Sequence, residues 1–303
     1  MEVAVIGAGG FVGQRLSDLL QADPEITKVS LVDRIEIPSR EGTKVETFKG
    51  DFSEEALRAE ALGGADAVIL LASVLGGAAE ADYSLARKVN VEQTLDLFEY
   101  LSNTAAGTRV VFASTIAVYG KPMPDPVTDS TPFDPSMIYG AQKLMMEVAL
   151  TNFTRRGWLD GVSIRPSGVM ARDGADAALK SAFMSRLFWC VRRGEDIALP
   201  VAEDSRTWMA SVDNVARNFV HAAKLPKLGD TRAFTLPALA LTFGDLVAAL
   251  RCKFPESRSR ITYEPDPELV ALFGSYPELQ TETADRLGFL RDDTIADLID
   301  GAI

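Results

Sequence analysis

Short runs of apolar and β-branched residues alternate with longer segments in which apolar residues recur every three or four positions. The short runs predict β-strands, and the longer segments predict amphipathic helices. The predicted strands are Val3–Ile6, Val29–Val32, Val45–Phe48, Ala67–Leu71, Arg109–Ala113 and Val162–Arg165. The helices predicted between them are Phe11–Gln21, Ser53–Ala61 and Glu80–Ser102. We therefore expect an α/β fold, in which helices cover both faces of a doubly wound parallel sheet.

The regular alternation fades after the sixth predicted strand, where proline-rich connections separate the apolar segments. The helices predicted in this part are Lys180–Arg192, Val212–Ala223 and Phe243–Cys252. We expect a first domain at residues 1–166, to which residues 206–224 return. Residues 167–205 and 225–303 are expected to form a smaller mixed α/β domain over the carboxyl edge of the sheet.

Charge and composition exclude several classes of protein. The net charge is −12 and no basic stripe offsets it, so nucleic acid is not an expected partner. The longest apolar run, Ala67–Leu75, is far shorter than the ~20 residues of a spanning helix. No leader pattern precedes the first strand, so we expect a cytoplasmic protein without a membrane partner. Cys190 and Cys252 lack a C-x-x-C motif or a histidine cluster, which disfavours a disulfide framework and a zinc site.

A glycine-rich turn, Gly7-Ala8-Gly9-Gly10-Phe11-Val12-Gly13, connects the first strand to the first helix. Glycine permits a tight turn, a close approach of a pyrophosphate to the backbone, and close packing of the helix on the sheet. Asp33 follows Gly13 by 20 residues and ends the second strand, where a carboxylate binds a ribose hydroxyl. The combination predicts a dinucleotide-binding domain of the Rossmann type.

Two acidic residues bear on the choice of dinucleotide and on its adenine end. Asp33 repels the 2′-phosphate of NADP, so NAD is the expected cofactor and NADP is less favoured, although Arg34 beside it opposes this preference. Asp51 precedes Phe52 at the end of the third strand. Its side chain is equally suited to accept a hydrogen bond from the adenine amino group and to cap the helix that follows.

Tyr139 and Lys143 are four residues apart and therefore share one face of a predicted helix. A nearby cation favours phenolate, so we expect Lys143 to lower the pKa of Tyr139 from its reference near ~10. Such a tyrosine is suited to acid/base catalysis near neutral pH. The alternative is a solvated pair on a helix surface.

These residues belong to a longer pattern that runs through essentially the whole chain. Its further members are Leu71-Ala72-Ser73, Asn90, Val110–Gly120 with Ser114-Thr115 and Tyr119-Gly120, Arg165-Pro166, and Arg206 with Ser211–Ala216. The pattern resembles the extended short-chain dehydrogenase/reductase family, within the NAD-dependent epimerase/dehydratase superfamily. The resemblance implies an NAD-dependent oxidoreductase that acts on a secondary alcohol or ketone of a small molecule.

The resemblance also implies residue roles. Thr115 supplies the catalytic hydroxyl, Tyr139 is the acid/base and Lys143 binds the ribose. The implied cofactor-binding residues are Gly7, Gly10, Phe11, Val12, Gly13, Asp33, Arg34, Asp51, Phe52, Leu71, Ala72, Ser73, Asn90, Tyr139, Lys143, Pro166 and Val169. The implied substrate-binding residues are Val74, Ser114, Thr115, Ile116, Arg172 and Arg206. Asn90 suits a helix–loop hydrogen bond and a proton relay equally. A homodimer through the helices Glu80–Ser102 and Ser136–Thr154 is implied as well.

Departures from the family pattern narrow the activity. Ile116 and Ala117 stand where nucleotide-sugar dehydratases carry an Asp-Glu pair, which disfavours dehydration. Gly168 stands where nucleotide-sugar epimerases usually carry an asparagine that binds the substrate phosphate. An epimerase that oxidises its substrate transiently is therefore the second hypothesis for the activity, after a dehydrogenase. A non-catalytic NAD sensor would be expected to have lost Tyr139 or Lys143.

A closer resemblance is to D-erythronate dehydrogenase-like proteins. It is carried by residues 76–82, 124–129, 155–161, 205–211 and 263–267. The substrate loop reads Arg172-Asp173-Gly174-Ala175-Asp176-Ala177, so Ala175 and Ala177 replace a lysine and an asparagine of that group. We therefore expect weak activity on D-erythronate itself and better activity on a related, bulkier hydroxy acid or polyol, and we expect Arg172 or Arg206 to bind the carboxylate of a sugar acid.

Overall fold

The computed structural model describes residues 1–38, 43–174, 180–226 and 228–303, which form two compact units. The first unit consists of Met1–Val118, Met137–Arg165 and Ala216–Thr235. The second unit consists of Tyr119–Ser136, Pro166–Val215 and Leu236–Ile303. Each unit is thus assembled from three separate segments of the chain.

The bounds of the elements are as follows. The strands are β1 (Glu2–Ile6), β2 (Lys28–Asp33), β3 (Val45–Lys49), β4 (Ala67–Leu70), β5 (Arg109–Ala113), β6 (Asp160–Arg165), β7 (Gly168–Met170), β8 (Ile197–Leu199), β9 (Arg206–Ser211), β10 (Ala233–Thr235), β11 (Leu239–Thr242) and β12 (Ile261–Tyr263). The α-helices are α1 (Phe11–Ala22), α2 (Glu55–Leu62), α3 (Gly76–Ala81), α4 (Tyr83–Arg87), α5 (Thr94–Thr104), α6 (Ile138–Arg155), α7 (Ala182–Arg193), α8 (Val212–Lys224), α9 (Phe243–Lys253), α10 (Pro267–Leu269), α11 (Glu282–Arg286) and α12 (Ile295–Ala302).

A parallel sheet of seven strands lies at the centre of the first unit, in the order β10-β6-β5-β4-β1-β2-β3. The inner strands are buried on both faces, and Val5 of β1 pairs with Leu31 of β2 on one side and Ile69 of β4 on the other. The strand order reverses between β1 and β4, and parallel α/β sheets bind ligands outside the carboxyl ends at such a point. The predicted doubly wound parallel sheet is confirmed.

The segment predicted as one helix at Glu80–Ser102 is divided, so that prediction is wrong. The backbone leaves the helical conformation at Asp82, whose carboxylate accepts a hydrogen bond from Leu85 N (2.9 Å) and starts α4. A π-helical segment, Lys88–Gln93, then leads into α5. Asp favours N-caps over helix interiors because its side chain competes for backbone donors.

The outermost strand, β10, was not predicted from its three residues. It pairs with β6, and an ion cluster fixes this edge of the sheet. Arg232 donates to Asp160 Oδ1 (2.5 Å), while Arg109 donates to Asp160 Oδ2 (2.9 Å) and to the carbonyl of Ala222. Arg109, Asp160 and Arg232 are far apart in the chain, so the local hydrophobic pattern cannot predict that they form an ion cluster.

The second unit contains a three-stranded mixed sheet, β11-β9-β7, and a parallel pair, β12-β8. Its core includes Phe183, Met184, Leu187 and Phe188 of α7, with Trp189 packed at the margin. The apolar face of α7 thus forms part of the core of the second unit. No helix in the described part of the chain is long and apolar enough to cross a membrane.

Candidate active site

The glycine turn lies between β1 and α1, in close contact with the backbone that follows β4. Gly7 has a positive φ of 91°, and a Cβ there would lie 2.6 Å from Ala72 N. A Cβ on Gly13 would lie 2.4 Å from Gly7 O. Gly10 is the N-cap of α1 and has no side chain with which to cap it, and Phe11 and Val12 begin the first turn. The turn therefore presents a bare helix N-terminus, the backbone arrangement that binds phosphate groups.

Asp33 is the last residue of β2, and its carboxylate turns towards the glycine turn. Oδ2 accepts a hydrogen bond from Gly9 N (2.9 Å), and Oδ1 accepts one from Ile35 N (3.2 Å). The neighbouring Arg34 has its Nε 4.0 Å from Asp51 Oδ2 and is largely exposed. The two adjacent charges thus have different partners.

Asp51 is not the N-cap of α2, which is Glu54, so the capping role considered for it is wrong. Its Oδ1 instead accepts hydrogen bonds from the backbone N (2.9 Å) and Oγ (2.8 Å) of Ser53, and from Gln93 Nε2 (3.2 Å). Phe52 is buried, and its carbonyl accepts a hydrogen bond from Arg58 Nε (2.6 Å). The loop after β3 is therefore hydrogen-bonded to α2 through Arg58 and to the π-helical segment Lys88–Gln93 through Gln93.

The chain after β4 follows the end of β1, because Leu71 N and Ala72 N both donate to Ile6 O (2.8 and 3.1 Å). Ser73 forms a side-chain hydrogen bond with Tyr139. Val74 is fixed by the buried side chain of Asn90, which accepts from Val74 N (2.7 Å) and donates to Val74 O (2.9 Å). Asn90 therefore makes the predicted kind of helix–loop hydrogen bond.

The turn after β5 is in direct backbone contact with the start of α6. Thr115 Oγ1 accepts a hydrogen bond from Ala117 N (3.1 Å), within the turn that leads into the 3₁₀ helix Ile116–Val118. A Cβ on Gly140 would lie 2.1 Å from Ala117 O. Glycine at this position lets α6 approach the turn, so Tyr139 and Thr115 are brought to the same end of the sheet. Ser114 is buried, and its Oγ has no hydrogen-bond partner within the described chain.

Tyr139 and Lys143 lie one helical turn apart on α6, and Lys143 is 1% exposed. The ammonium of Lys143 is 5.7 Å from the centre of the Tyr139 ring and 4.6 Å from the centre of the Phe112 ring. Burial raises the pKa of Tyr139 to about 12, although its hydrogen bond with Ser73 lowers it. The predicted lowering of this pKa by Lys143 is therefore wrong, because burial raises the pKa by more than Ser73 lowers it.

Burial also lowers the pKa of Lys143 to about 7, against the opposing effect of Glu147. Glu147 is itself buried one turn further along α6 and binds Arg165 through two hydrogen bonds (2.8 and 2.5 Å). Because a lysine with a pKa near neutrality exchanges protons readily, the pair Tyr139–Lys143 combines a protonated phenol with a titrating amine.

Three residues around this pair were missed in the sequence. Gly140 provides the close approach to Ala117, Gln142 accepts a hydrogen bond from Asn90 (2.8 Å), and Glu147 lies beside Lys143. Gln142 and Glu147 are buried although polar, and Glu147 follows Lys143 at helical spacing. The spacing of four residues could have placed Glu147 beside Lys143, but the burial of these polar side chains cannot be predicted from the sequence alone.

The remaining predicted residues belong to the second unit. Pro166 follows β6, Val169 pairs with Ala210 in β7, and Arg206 is the exposed first residue of β9. Arg172 is held through its backbone N, which donates to Ser185 Oγ (3.1 Å). Ala175 and Ala177 lie outside the described residues.

Comparison with known proteins identifies similar sequences and folds. Residues 3–235 match the family described as the NAD dependent epimerase/dehydratase family. A D-erythronate dehydrogenase of Haemophilus influenzae is 29% identical, with 99% of this chain and 98% of that protein covered. One of Cupriavidus necator is 30% identical, with 99% and 97% covered. The solved structure of a nucleoside-diphosphate-sugar epimerase from Agrobacterium tumefaciens superposes with a TM-score of 0.88 at 29% identity, covering 99% of this chain and 92% of that one.

Proposed function

This chain belongs to the NAD-dependent epimerase/dehydratase family, and on that premise we propose that it oxidises a secondary alcohol of a small hydroxy acid, or reduces the matching ketone. One observation carries the proposal. The contact of Gly140 with the Ala117 backbone brings Tyr139 and Thr115 to one end of the sheet, beside the buried Lys143. A phenol, a hydroxyl and an amine that titrates near neutrality are the groups that proton transfer to and from an alcohol requires.

The residues around the glycine turn fit a dinucleotide. The bare N-terminus of α1 suits the pyrophosphate, and the carboxylate of Asp33 suits the adenosine ribose. The close approach of Gly7 to Ala72 leaves no room for a side chain at the turn. A nicotinamide bound here supplies the acceptor or donor of the hydride.

Within this chain, Tyr139 and Thr115 hold the substrate hydroxyl by hydrogen bonds. The hydroxyl proton passes to Tyr139 Oη during oxidation and returns from it during reduction. Burial keeps the pKa of Tyr139 at about 12, so its resting form is the phenol, ready to donate. Lys143 binds the cofactor ribose, and its amine, whose pKa burial lowers to about 7, lies one helical turn from the phenol.

We propose NAD as the physiological cofactor, and not NADP. The carboxylate of Asp33 accepts a hydrogen bond from Gly9 of the glycine turn, where it repels a 2′-phosphate. Arg34 is directed at Asp51, which competes with a phosphate for its charge. Both contacts favour a ribose with a free 2′-hydroxyl.

The proposed substrate class is short sugar acids, with the carboxylate bound by Arg172 or Arg206. The D-erythronate dehydrogenases that match nearly the whole chain support an acid with several hydroxyls. Because Ala175 and Ala177 are smaller and apolar compared with the residues of that group, we expect weak turnover of D-erythronate and better turnover of a bulkier hydroxy acid.

Oxidation with NAD of D-erythronate, D-gluconate and their uncharged counterparts, erythritol and sorbitol, tests the activity. The expected result is net NADH formation with an acid. Tyr139→Phe should lose at least ~100-fold in turnover with nearly unchanged NAD affinity, since the phenol acts on substrate. Tyr263→Phe is the matched control and should be near normal.

Near-normal turnover of Tyr139→Phe would show that the acid/base is assigned wrongly. The nucleoside-diphosphate-sugar epimerase with a similar structure favours a second candidate, a sugar epimerase. That activity would interconvert sugar isomers without any build-up of NADH, so the same assay separates the two.

We also propose a homodimer through α4 and α6, which pack against each other in the first unit. Tyr83 and Leu85 of α4, and Met145 and Val148 of α6, are large apolar side chains that are 42–64% exposed. A second copy of the chain would cover them.

A further inference from the structure

Arg58 of α2 is a buried arginine near the carboxyl edge of the parallel sheet in the first unit. The residue is 7% exposed. It lines one small cavity together with Ile6, the residue before the glycine turn, and Val32, the residue before Asp33. Arg58 therefore lies beside the carboxyl ends of β1 and β2, although no role for it could be predicted from the sequence.

The guanidinium group of Arg58 connects two separate parts of the first unit through backbone carbonyls. Nε donates to Phe52 O (2.6 Å) in the loop after β3, and Nη1 donates to Asp96 O (3.4 Å) in the first turn of α5. The Cζ atom also lies 5.7 Å from the centre of the Tyr100 ring, one turn further along α5. A single side chain thus joins the loop after β3 to a helix that is distant in the sequence.

An arginine in this position is costly. Burial lowers the pKa of the Arg58 guanidinium, because the charged form loses hydration. Nη2 is buried and has no hydrogen-bond partner within the described part of the chain. An apolar side chain would fill the same core position without the loss of hydration. The contacts with the two carbonyls are therefore what distinguishes this arginine from an ordinary core residue.

The loop after β3 also carries Asp51 and is joined to Asp33, because Gly50 N donates to Asp33 O (2.9 Å). Asp51 Oδ1 accepts three hydrogen bonds, two from Ser53 and one from Gln93. Its Oδ2 accepts no hydrogen bond from a described residue. Oδ2 is therefore the oxygen of this carboxylate that remains available to a ligand.

We propose that Arg58 is a positioning residue for the adenine end of the dinucleotide. By binding the carbonyls of Phe52 and Asp96, it holds the loop after β3 so that Asp51 Oδ2 accepts a hydrogen bond from the adenine amino group. An amino group bound to a carboxylate forms a charge-assisted hydrogen bond, which fixes the base beside the ribose at Asp33. This inference rests on the proposed NAD-dependent function, and all of its residues belong to the first unit.

Comparison of NAD with nicotinamide hypoxanthine dinucleotide tests the inference, because hypoxanthine has a carbonyl oxygen in place of the amino group of adenine. Calorimetric titration of both compounds gives the ratio of their dissociation constants. We expect the unmodified protein to bind NAD at least ~10-fold more tightly. Arg58→Met should reduce this preference to less than ~3-fold, and Asp51→Ala should abolish it, since it removes the acceptor.

A purely structural role of Arg58 would weaken the binding of both dinucleotides equally and leave the ratio unchanged. Arg109→Met is the matched control, because Arg109 is 8% exposed and donates to the carbonyl of Ala222, at the amino end of β5. Its ratio should equal that of the unmodified protein. Arg58→Lys should lower the ratio part of the way, because one ammonium group cannot span both carbonyls, and it decides the question if Arg58→Met does not fold.

An unchanged ratio in Arg58→Met, or in Arg58→Lys where only that variant folds, would overturn the role of Arg58. Equal affinities of the unmodified protein for the two dinucleotides would overturn the adenine contact of Asp51 and the role of Arg58 with it, whereas NADH formation with a hydroxy acid would still support the proposed activity. The expected ratios without NADH formation would contradict that activity alone. Failure to bind either dinucleotide would contradict both proposals.

Discussion

Asp33 and Arg34 are neighbours in the chain with opposite influence on the choice of cofactor. The carboxylate of Asp33 is bound to Gly9 of the glycine turn, whereas Arg34 lies 4.0 Å from Asp51. We therefore expect the carboxylate of Asp33 to determine which ribose is bound, because two backbone donors fix its position at the turn.

We predict that NAD binds more tightly than NADP and that Asp33→Ala weakens NAD binding roughly 10-fold or more, while NADP binding changes little. Asp33→Asn separates the two causes, since it keeps an oxygen acceptor but removes the repulsive charge. Titration of both cofactors with each variant measures the gap. Equal affinities for NAD and NADP in the unmodified protein would mean that Arg34 outweighs Asp33.

The buried amine of Lys143 should give the protein a characteristic dependence of stability on pH. Its pKa is lowered by burial to about 7, whereas the unfolded chain keeps the model value of 10.5. Between these values the unfolded state binds a proton that the folded state has released, so stability rises with pH across this window. Below pH 7 both states are protonated, and the folded state bears the full cost of a buried charge.

Lys143→Met should therefore be more stable than the unmodified protein at pH 7, although catalytically impaired. Its advantage should shrink by about 1.6 kcal/mol between pH 7 and pH 8.5, because the slope is about half of 1.36 kcal/mol per pH unit at the folded pKa and approaches that value above it. Urea unfolding of both proteins without added cofactor measures the difference. Lys253→Met, at a half-exposed position, should show a difference that does not depend on pH, and a flat difference for Lys143→Met would contradict the prediction.

The sequence contained the residue types and spacing of Tyr139 and Lys143, but not the direction of the pKa shift of the tyrosine. Spacing along a helix follows from its 3.6-residue period. The depth of a side chain depends on what the rest of the chain packs around it, and here burial governs both pKa values.

At the scale of elements, α6 contacts the turn after β5 only because residue 140 is a glycine and has no side chain. We predict that Gly140→Ala destabilises the protein by about 1–3 kcal/mol, because its Cβ would lie 2.1 Å from Ala117 O and force the helix away. Turnover should fall about 100-fold, since a shift near 1 Å misaligns Tyr139 and Thr115.

Gly229→Ala is the matched control, because a Cβ there meets no atom within 4 Å. Thermal unfolding and steady-state kinetics of the two variants provide the comparison. Normal turnover in Gly140→Ala would show that the closeness of α6 and the turn is not needed for catalysis.

The predicted strands and helices are correct where a hydrophobic period extends over several residues. They are wrong where a helix cap or a contact with a distant residue determines the structure. Strands β1, β2, β4 and β5 are largely buried apolar runs that their sequences reveal. Asp82 ends one helix and begins another through a side-chain hydrogen bond that an apolar period cannot register. The three residues of β10 pair with β6 beside the point where Arg109 and Arg232 both bind Asp160, a contact between distant parts of the chain.

At the scale of the whole molecule, two copies of the chain are expected to associate through α4 and α6. Val148 is 64% exposed, and Val148→Asp would bury a charge in the proposed interface. Light scattering after size-exclusion chromatography should show a dimer for the unmodified protein and a monomer for this variant. Leu290→Asp, at a residue 57% exposed in the second unit, should remain dimeric. A monomeric unmodified protein would contradict the proposal.

The division of the chain into two units was harder to infer than its fold class. Six of the seven strands of the large sheet follow from an alternation that covers about the first half of the sequence. The segment Tyr119–Ser136, which belongs to the second unit, contains five of the fifteen prolines of the chain, but a proline-rich stretch predicts a loop and not the unit to which that loop belongs.

The number of residues in the π-helical segment Lys88–Gln93 matters for the proposed site. Asn90 within it binds Val74 beside Ser73 and Tyr139, and Gln93 binds Asp51 at the other end of the nucleotide-binding edge. A π-helical turn contains an extra residue compared with an α-helical turn, so deleting one residue here would rotate one of these side chains away by about 100° relative to the other. Point substitutions at the exposed positions of the segment leave this spacing unchanged, whereas a single-codon deletion would disconnect one half of the proposed site from the other.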